Sequence, residues 1–379
     1  MKYFLFLQFF LILTCGYAYG QNTTKDKPFT ITLNTNLSNS KEIGLKEIAE
    51  NIEYIKLEFL PESVLGRIQR LVATEKYFFV FDNRDISQFS RSGKYIRKIG
   101  KSGRGPGEYP ALRDFAVDES TQHLFVLGTF IRQIFVYDFN GNYVKGIKLN
   151  EEERETIDIT EDGLIVLQTS PITKSLLSTE VINQQGISVL KFYSRSYLNS
   201  NSIKIAKTPN TSYIFNNNVL FKEGVNDTIY KISSKRITPY FTHSLGKYQP
   251  PVNYPYEERA KYIEIYKICE SDKYIITFFF NKGLIGTAVY NKTTNETTVN
   301  MPEDKIKRGV KNDIDNGINF FMATVPFTLK TNQKEWLQIL EPNLLNDYKN
   351  DNRILDNFKT IIDNFNDGDN PVIMVIRLK

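Results

Sequence analysis

The chain has 379 residues, an ordinary hydrophobic fraction of 41% and an aromatic content of 13%, carried mainly by 27 Phe and 22 Tyr. That aromatic bias suits strands, whose half-buried pleated surfaces favour aromatic and β-branched side chains. Lys and Arg number 48 against 43 Asp and Glu, with the signs interspersed and a formal net charge of +5, so there is no basic footprint for nucleic acid.

Residues 1–20 read as a secretory signal peptide: Lys2, an apolar run from Tyr3 to Leu13, then small residues ending in Ala18-Tyr19-Gly20. The run is shorter than the roughly 20 residues that span a bilayer. Two processing routes compete. Cleavage after Gly20 leaves Gln21 first, whereas processing at Cys15, after Leu13-Thr14, would leave a lipid anchor as the chain's tie to a membrane. Either route exports the chain to the periplasm, the cell surface or the medium. Cys269 is the other cysteine, so the mature domain has no disulfide and relies on its core.

Residues 21–51 read as an extended N-terminal leader, polar up to Lys41, with a short helical turn near Leu45. Ile52–Phe59 (IEYIKLEF) alternates like a strand. From Arg67 the pattern repeats. One unit runs RIQRLVATE, KYFFVFDN, ISQFSR, a Ser-Gly turn, KYIRKIG; the next runs RDFAVDE, HLFVLGT, QIFVYDF, an Asn-Gly turn, NYVKGIKL. Phe79 and Phe125 hold equivalent places 46 residues apart, inside the roughly 40–50-residue period of propeller blades. Three further units follow to Glu303. A sixth has clear strands only at INFFMATVPF and PVIMVIRLK, separated by a predicted helical insertion over about 333–367, in which Gln333–Leu340 and Ile354–Phe365 carry apolar residues at helical spacing. That helical region either packs on a blade rim or forms a lid over one face. The expected fold is therefore all-β: a six-bladed β-propeller over residues 52–379, with Ile52–Phe59 completing the last blade so that no sheet edge is left to the chain ends.

At Gly100–Asp118 (GKSGRGPGEYPALRDFAVD) the chain resembles an NHL-type propeller repeat. More narrowly, it is similar to the secreted six-bladed β-propeller proteins of Bacteroidetes. The resemblance implies that fold and export, and no activity.

The glycines of this stretch do not make a phosphate loop, because no GK(S/T) ending and no helix follow; they allow positive φ between an outer strand and the next inner one. Blade connectivity places Asp82, Arg84, Asp85, Arg104, Glu108, Arg113 and Arg132 on one face. Arg84, Arg104 and Arg132 there could engage a carboxylate or sulfate of a peptide or glycan, or be solvated loop charges. Asp114, Asp158 and Asp315, read as inner-strand residues round the channel, are the candidate ligands for calcium, the one cofactor to consider; Asp at strand ends also caps turns. His123 and His243 do not converge, and no catalytic residue stands out. The leading reading is an exported binding module for a peptide, protein or glycan. The alternatives are a calcium-dependent lyase or hydrolase working in the channel, and an envelope scaffold.

Overall fold

Short strands rich in Phe, Tyr, Ile and Val, separated by tight polar turns, pair with their chain neighbours in antiparallel meanders. The computed structural model describes residues 28–33, 37, 39–129, 131–150, 154–169, 176–194, 210–224, 226–234, 236–251, 254–304, 307–322, 328–330, 334–346, 348–349, 356–366 and 368–379. The predicted signal peptide and Cys15 lie outside them. Six sheets form a six-bladed β-propeller. From the axis outward, blade 1 is Arg70–Ala73, Tyr77–Phe81, Ile86–Ser90 and Tyr95–Ile99, and blade 2 is Leu112–Asp118, His123–Gly128, Gln133–Asp138 and Tyr143–Lys148. Blade 3 runs Thr156–Ile159, Ile165–Gln168, Leu177–Ile182, Ser188–Tyr193; blade 4 runs Thr211–Phe215, Asn218–Lys222, Thr228–Ser233, Arg236–Ser244; blade 5 runs Glu264–Glu270, Tyr274–Asn281, Leu284–Asn291, Glu296–Asn300.

Adjacent blades share a core. Phe79 and Phe81 of blade 1 meet Phe115 and Val126 of blade 2, Phe125 and Ile134 meet Ile157 and Leu167 of blade 3, and Phe241 of blade 4 meets Ile265 and Phe279 of blade 5. At the closing seam Leu71 and Phe78 pack with Leu337 and Ile373. Cys269 is buried among apolar neighbours, and burial pushes its thiol up to about 12, so it behaves as a small hydrophobe.

Blade 6 closes the ring. Val372–Leu378 pairs antiparallel on one side with Glu335–Leu340 and on the other with the N-terminal strand Ala49–Lys56. The expected closure holds, but the predicted helix over Gln333–Leu340 does not: among its described residues Glu335–Leu340 is the innermost strand of the blade. Glu335, Trp336, Leu337, Gln338 and Leu340 are all buried, and a strand buried on both faces loses the alternation that marks a strand in sequence. α-Helix is confined, among the described residues, to Pro342–Asn346 and Asp356–Asp363. Phe358 and Ile362 are buried, and the Phe358 ring lies 4.7 Å from that of Tyr54 on the closing strand, so the insertion packs on the rim of blade 6. Of INFFMATVPF, Phe320 forms an isolated bridge to Val310, and residues 323–327 lie outside the described set.

The stretch read as a leader takes part in the fold. Phe29–Thr32 pairs parallel with Phe241–Ser244 as a fifth strand on the outer edge of blade 4, and Ile31, Leu33 and Leu45 are buried. Covering that edge removes a row of unpaired backbone groups. At the opposite extreme, Thr328–Lys330 pairs parallel with Arg70–Val72 on the axial side of blade 1 and packs against the inner strand of blade 4. The channel is thus crossed by the chain itself.

Trp336 is buried and stacks on Phe320 at 5.5 Å between ring centroids. Trp336→Ala is expected to cost about 3–5 kcal/mol, measured by urea unfolding; a cost below about 1 kcal/mol would contradict its place as an inner-strand core residue.

Candidate ligand-binding cavity

Outer-to-inner linkers and second-to-third-strand loops emerge on one face. Where they converge at the axis they enclose a cavity of about 410 Å³. Its walls are the starts of the inner strands of blades 2, 3 and 4 (Leu112–Asp114, Glu155–Thr156, Asn210–Ser212), together with Phe81 and Asn83 of blade 1, Thr129 of blade 2, and Gln168–Thr169 of blade 3. Tyr266 and Lys267 of blade 5 complete it.

Two irregularities shape this site. In a regular strand, successive side chains point to opposite faces. The register of blade 2 slips between Leu112 and Asp114, and that of blade 5 between Ile265 and Lys267. These bulges let the consecutive residues Leu112, Arg113 and Asp114, and likewise Tyr266 and Lys267, all line one cavity. Nothing in the alternation of LRDFAVD or EIYKICE marks the slip.

Beneath the cavity lies a buried charge network. Arg70, 1% exposed, donates to Asp114 and, at 2.8 Å, to Asp158 Oδ1, and its Nη1 donates to the Ile157 carbonyl at 3.0 Å. The Ile157 amide donates to Asp114 at 2.9 Å, and Ser212 Oγ donates to Asp158 Oδ2 at 2.7 Å. One guanidinium thereby joins blades 1, 2 and 3, and the Ser212 hydroxyl adds blade 4. Burial pushes the Asp114 carboxyl up more strongly than Arg70 and the Ile157 amide pull it down. Burial also lowers Lys267 to about 8, with Arg70 acting in the same direction.

At the rim, Arg113 pairs with Glu155 at 2.6 Å. In blade 3, Gln168 is 2% exposed; its Oε1 accepts the Thr156 hydroxyl at 3.1 Å, while its Nε2 has no hydrogen-bond partner among the described residues.

Of the residues predicted for the ligand face, Arg113 lines the cavity and the others do not. Asp82 is buried and organises its turn, accepting from the Gly66 amide at 2.7 Å, Arg84 Nη2 at 2.9 Å and the Asp85 amide at 3.1 Å. Burial opposes its ionisation, but these donors outweigh it and hold the carboxyl below its ordinary value. Asp85 pairs with Lys98 at 2.6 Å. Glu108 folds back on its own linker, where the Gly105 amide, donating at 2.9 Å, lowers its carboxyl; a Cβ on Gly103 would lie 1.9 Å from Glu108 Oε2. That carboxylate is the far end of a flexible side chain and could move aside, so the contact does not by itself require glycine there, whereas Gly107 has φ +75 as expected. Arg104 and Arg132 are exposed. The residues sequence reasoning missed, Gln168 and Lys267, carry no local motif.

The three calcium candidates do not form one site. Asp114 and Asp158 both pair with Arg70, so a dication would face a guanidinium. Asp315 is not on an inner strand: its Oδ1 accepts from Tyr54 at 3.2 Å and the Gly317 amide at 2.9 Å, beside the closing strand. Among the described residues no three His, Cys, Asp or Glu side chains are grouped to hold an ion. His123 opens the second strand of blade 2 on the opposite face. His243 is buried in blade 4, its Nε2 3.0 Å from Thr277 Oγ1, and burial lowers it to about 3.

Six meander blades, a closing strand from the N-terminus and a polar cavity on one face of the axis define a propeller with an axial pocket. A family model described as a domain of unknown function, DUF4934, matches residues 28–377, and the chain belongs to that family. Among solved structures, it is similar to a Bacteroides fragilis NCTC 9343 protein whose name places it among exported proteins, at TM-score 0.71 and 16% identity over 93% of this chain and 100% of that one. A member of the DUF4221 family from Bacteroides vulgatus ATCC 8482 superposes at TM-score 0.52 and 13% identity, over 87% and 97% of the two chains. At such identities the likeness establishes the fold. Comparison with curated proteins finds no match.

Arg70→Leu leaves two buried carboxylates without their cation and is expected to cost about 3–5 kcal/mol in a urea titration. A second prediction concerns Lys267. Below pH 8 folded and unfolded chains both hold its proton and the folded state bears the cost of burying the charge. Between about 8 and the ordinary 10.5 the unfolded chain alone keeps it, so stability rises with pH across that window. Lys267→Met should flatten the rise, and lysine ¹³Cε titration should lose a resonance with a midpoint near 8.

Proposed function

We propose that this protein is an exported binding module that holds part of a peptide, protein or glycan in the axial cavity. The observation that carries this reading is the cavity itself. Two inner-strand bulges turn consecutive side chains into one pocket of mixed polar and apolar lining, and bulges next to ligand sites re-aim side chains in this way. The volume of about 410 Å³ falls in the roughly 300–1,000 Å³ range of small-molecule sites. Crossing of the axis by Thr328–Lys330 favours a blind pocket, filled from one face, over chemistry in an open channel. The signal-like N-terminus and the name of the Bacteroides fragilis structural relative support export.

Thr129 stands at the cavity wall and is partly exposed. Thr129→Trp should fill the cavity and weaken binding at least tenfold, about 1.4 kcal/mol, in calorimetric titrations against a library of short peptides and oligosaccharides. His123→Trp, on the opposite face, should leave affinity unchanged. Equal effects of the two substitutions would sink the assignment.

A further inference from the structure

The lining of the cavity narrows the ligand class. Its described charged residues are two cations, Arg113 and Lys267, and two carboxylates, Asp114 and Glu155. Arg113 is paired with Glu155, and Asp114 with Arg70 behind the wall, so an ionic ligand would have to break an existing pair or meet a surface of no net sign. The remaining polar lining consists of the carboxamides of Gln69, Asn83, Gln168 and Asn210, Thr and Ser hydroxyls, and Tyr266, whose hydroxyl donates to the Met322 carbonyl. Gln69, Asn83, Thr129 and Thr211 offer donors and acceptors side by side, whereas Asn210, bonded to Thr169 and Gly224, and the hydroxyls of Thr156 and Ser212, donated to Gln168 and Asp158, are already engaged. Phosphate, sulfate and carboxylate groups only accept, and ammonium only donates. A sugar hydroxyl does both on a single atom, and so suits a wall of mixed polarity, whereas a peptide amide does so only through separate N–H and C=O groups held in fixed geometry.

Gln168 adds an independent sign. It is 2% exposed, lines the cavity, and has an Nε2 with no partner among the described residues, although buried polar groups are nearly always satisfied. The atom is closed to solvent as it stands, and a turn of the carboxamide would offer this unmet donor to an acceptor supplied by a ligand. Phe81 and Leu112 provide an apolar patch in the same cavity for the C–H face of a ring.

From this geometry we infer that the cavity binds a neutral, polyhydroxylated sugar unit, with the Gln168 carboxamide donating to one of its oxygens. The inference rests on the cavity being the ligand site, and narrows the peptide, protein or glycan reading to glycan.

The test titrates the full chain, by saturation-transfer NMR and calorimetry, with neutral mono- and disaccharides of glucose, galactose, mannose and N-acetylglucosamine. Acidic and basic tripeptides and a sulfated monosaccharide form the comparison set. At least one neutral sugar is expected to bind. Gln168→Leu should weaken it roughly five- to tenfold, the worth of one hydrogen bond, with Tm little changed, since removing an unmet buried donor offsets the loss of the Thr156 bond. A residue with a merely structural role would lose Tm instead. Binding by the charged probes alone, abolished by Thr129→Trp, overturns the sugar inference and leaves the binding reading standing. Sugar binding that Gln168→Leu leaves unchanged overturns the inference as well. No probe sensitive to Thr129→Trp overturns both.

Discussion

The guanidinium of Arg70 sits where three blades meet. A propeller is a ring of sheets with little covalent connection between them, and its inner strands converge where packing space is smallest. Arg70 places one buried cation against Asp114 of blade 2 and Asp158 of blade 3, and low dielectric makes both the attraction and the cost of an unpaired member large. Ser212 ties blade 4 to the same Asp158. Round the rest of the ring the same role passes to Tyr213, donating to Glu270 of blade 5 at 2.7 Å, and to Arg91, pairing with Glu335 of blade 6 at 2.7 Å. The apolar seams hold the blades side by side, and the polar links fix their phase about the axis.

That arrangement also shapes the cavity. Because Asp114 and Asp158 are committed to Arg70, the inner strands cannot present them as an open ring of metal ligands. What remains facing the pocket is an assembly of carboxamides, hydroxyls, the Arg113–Glu155 pair, the apolar Phe81 and Leu112, the Tyr266 ring, and one lysine whose charge burial weakens. Thr328–Lys330 occupies the axial side of blade 1, and the bulges at Arg113 and Tyr266 aim the flanking residues into the space left above it. A blind, polar, charge-balanced cup is the result, suited to recognition of a neutral polar group.

Much of the architecture was legible beforehand because its cause is local. Aromatic and β-branched runs of strand length, Ser-Gly and Asn-Gly turns, and a repeat of propeller length specify meander blades, and the strand left over at the N-terminus specifies ring closure. Glu335–Leu340 escaped because burial on both faces erases the period of two. Phe29–Thr32 escaped because a short, Thr-rich edge strand carries almost no pattern of its own. The candidate site was legible only to the level of its face: of the residues that connectivity put there, Arg113 lines the cavity, whereas Asp82 and Glu108 organise turns, since an Asp or Glu beside exposed backbone amides satisfies those amides first.

The sequence by itself determined the blades, their order, the closing strand and the face on which the linkers gather, all of which follow from neighbours in the chain. Only the tertiary structure decided that Arg70 takes two of the candidate metal ligands, that Asp315 lies on the rim, that the chain crosses its own channel, and that Gln168 and Lys267 face one cavity. Those facts depend on where residues from distant blades meet and on single-residue slips of register, and neither leaves a trace in local pattern.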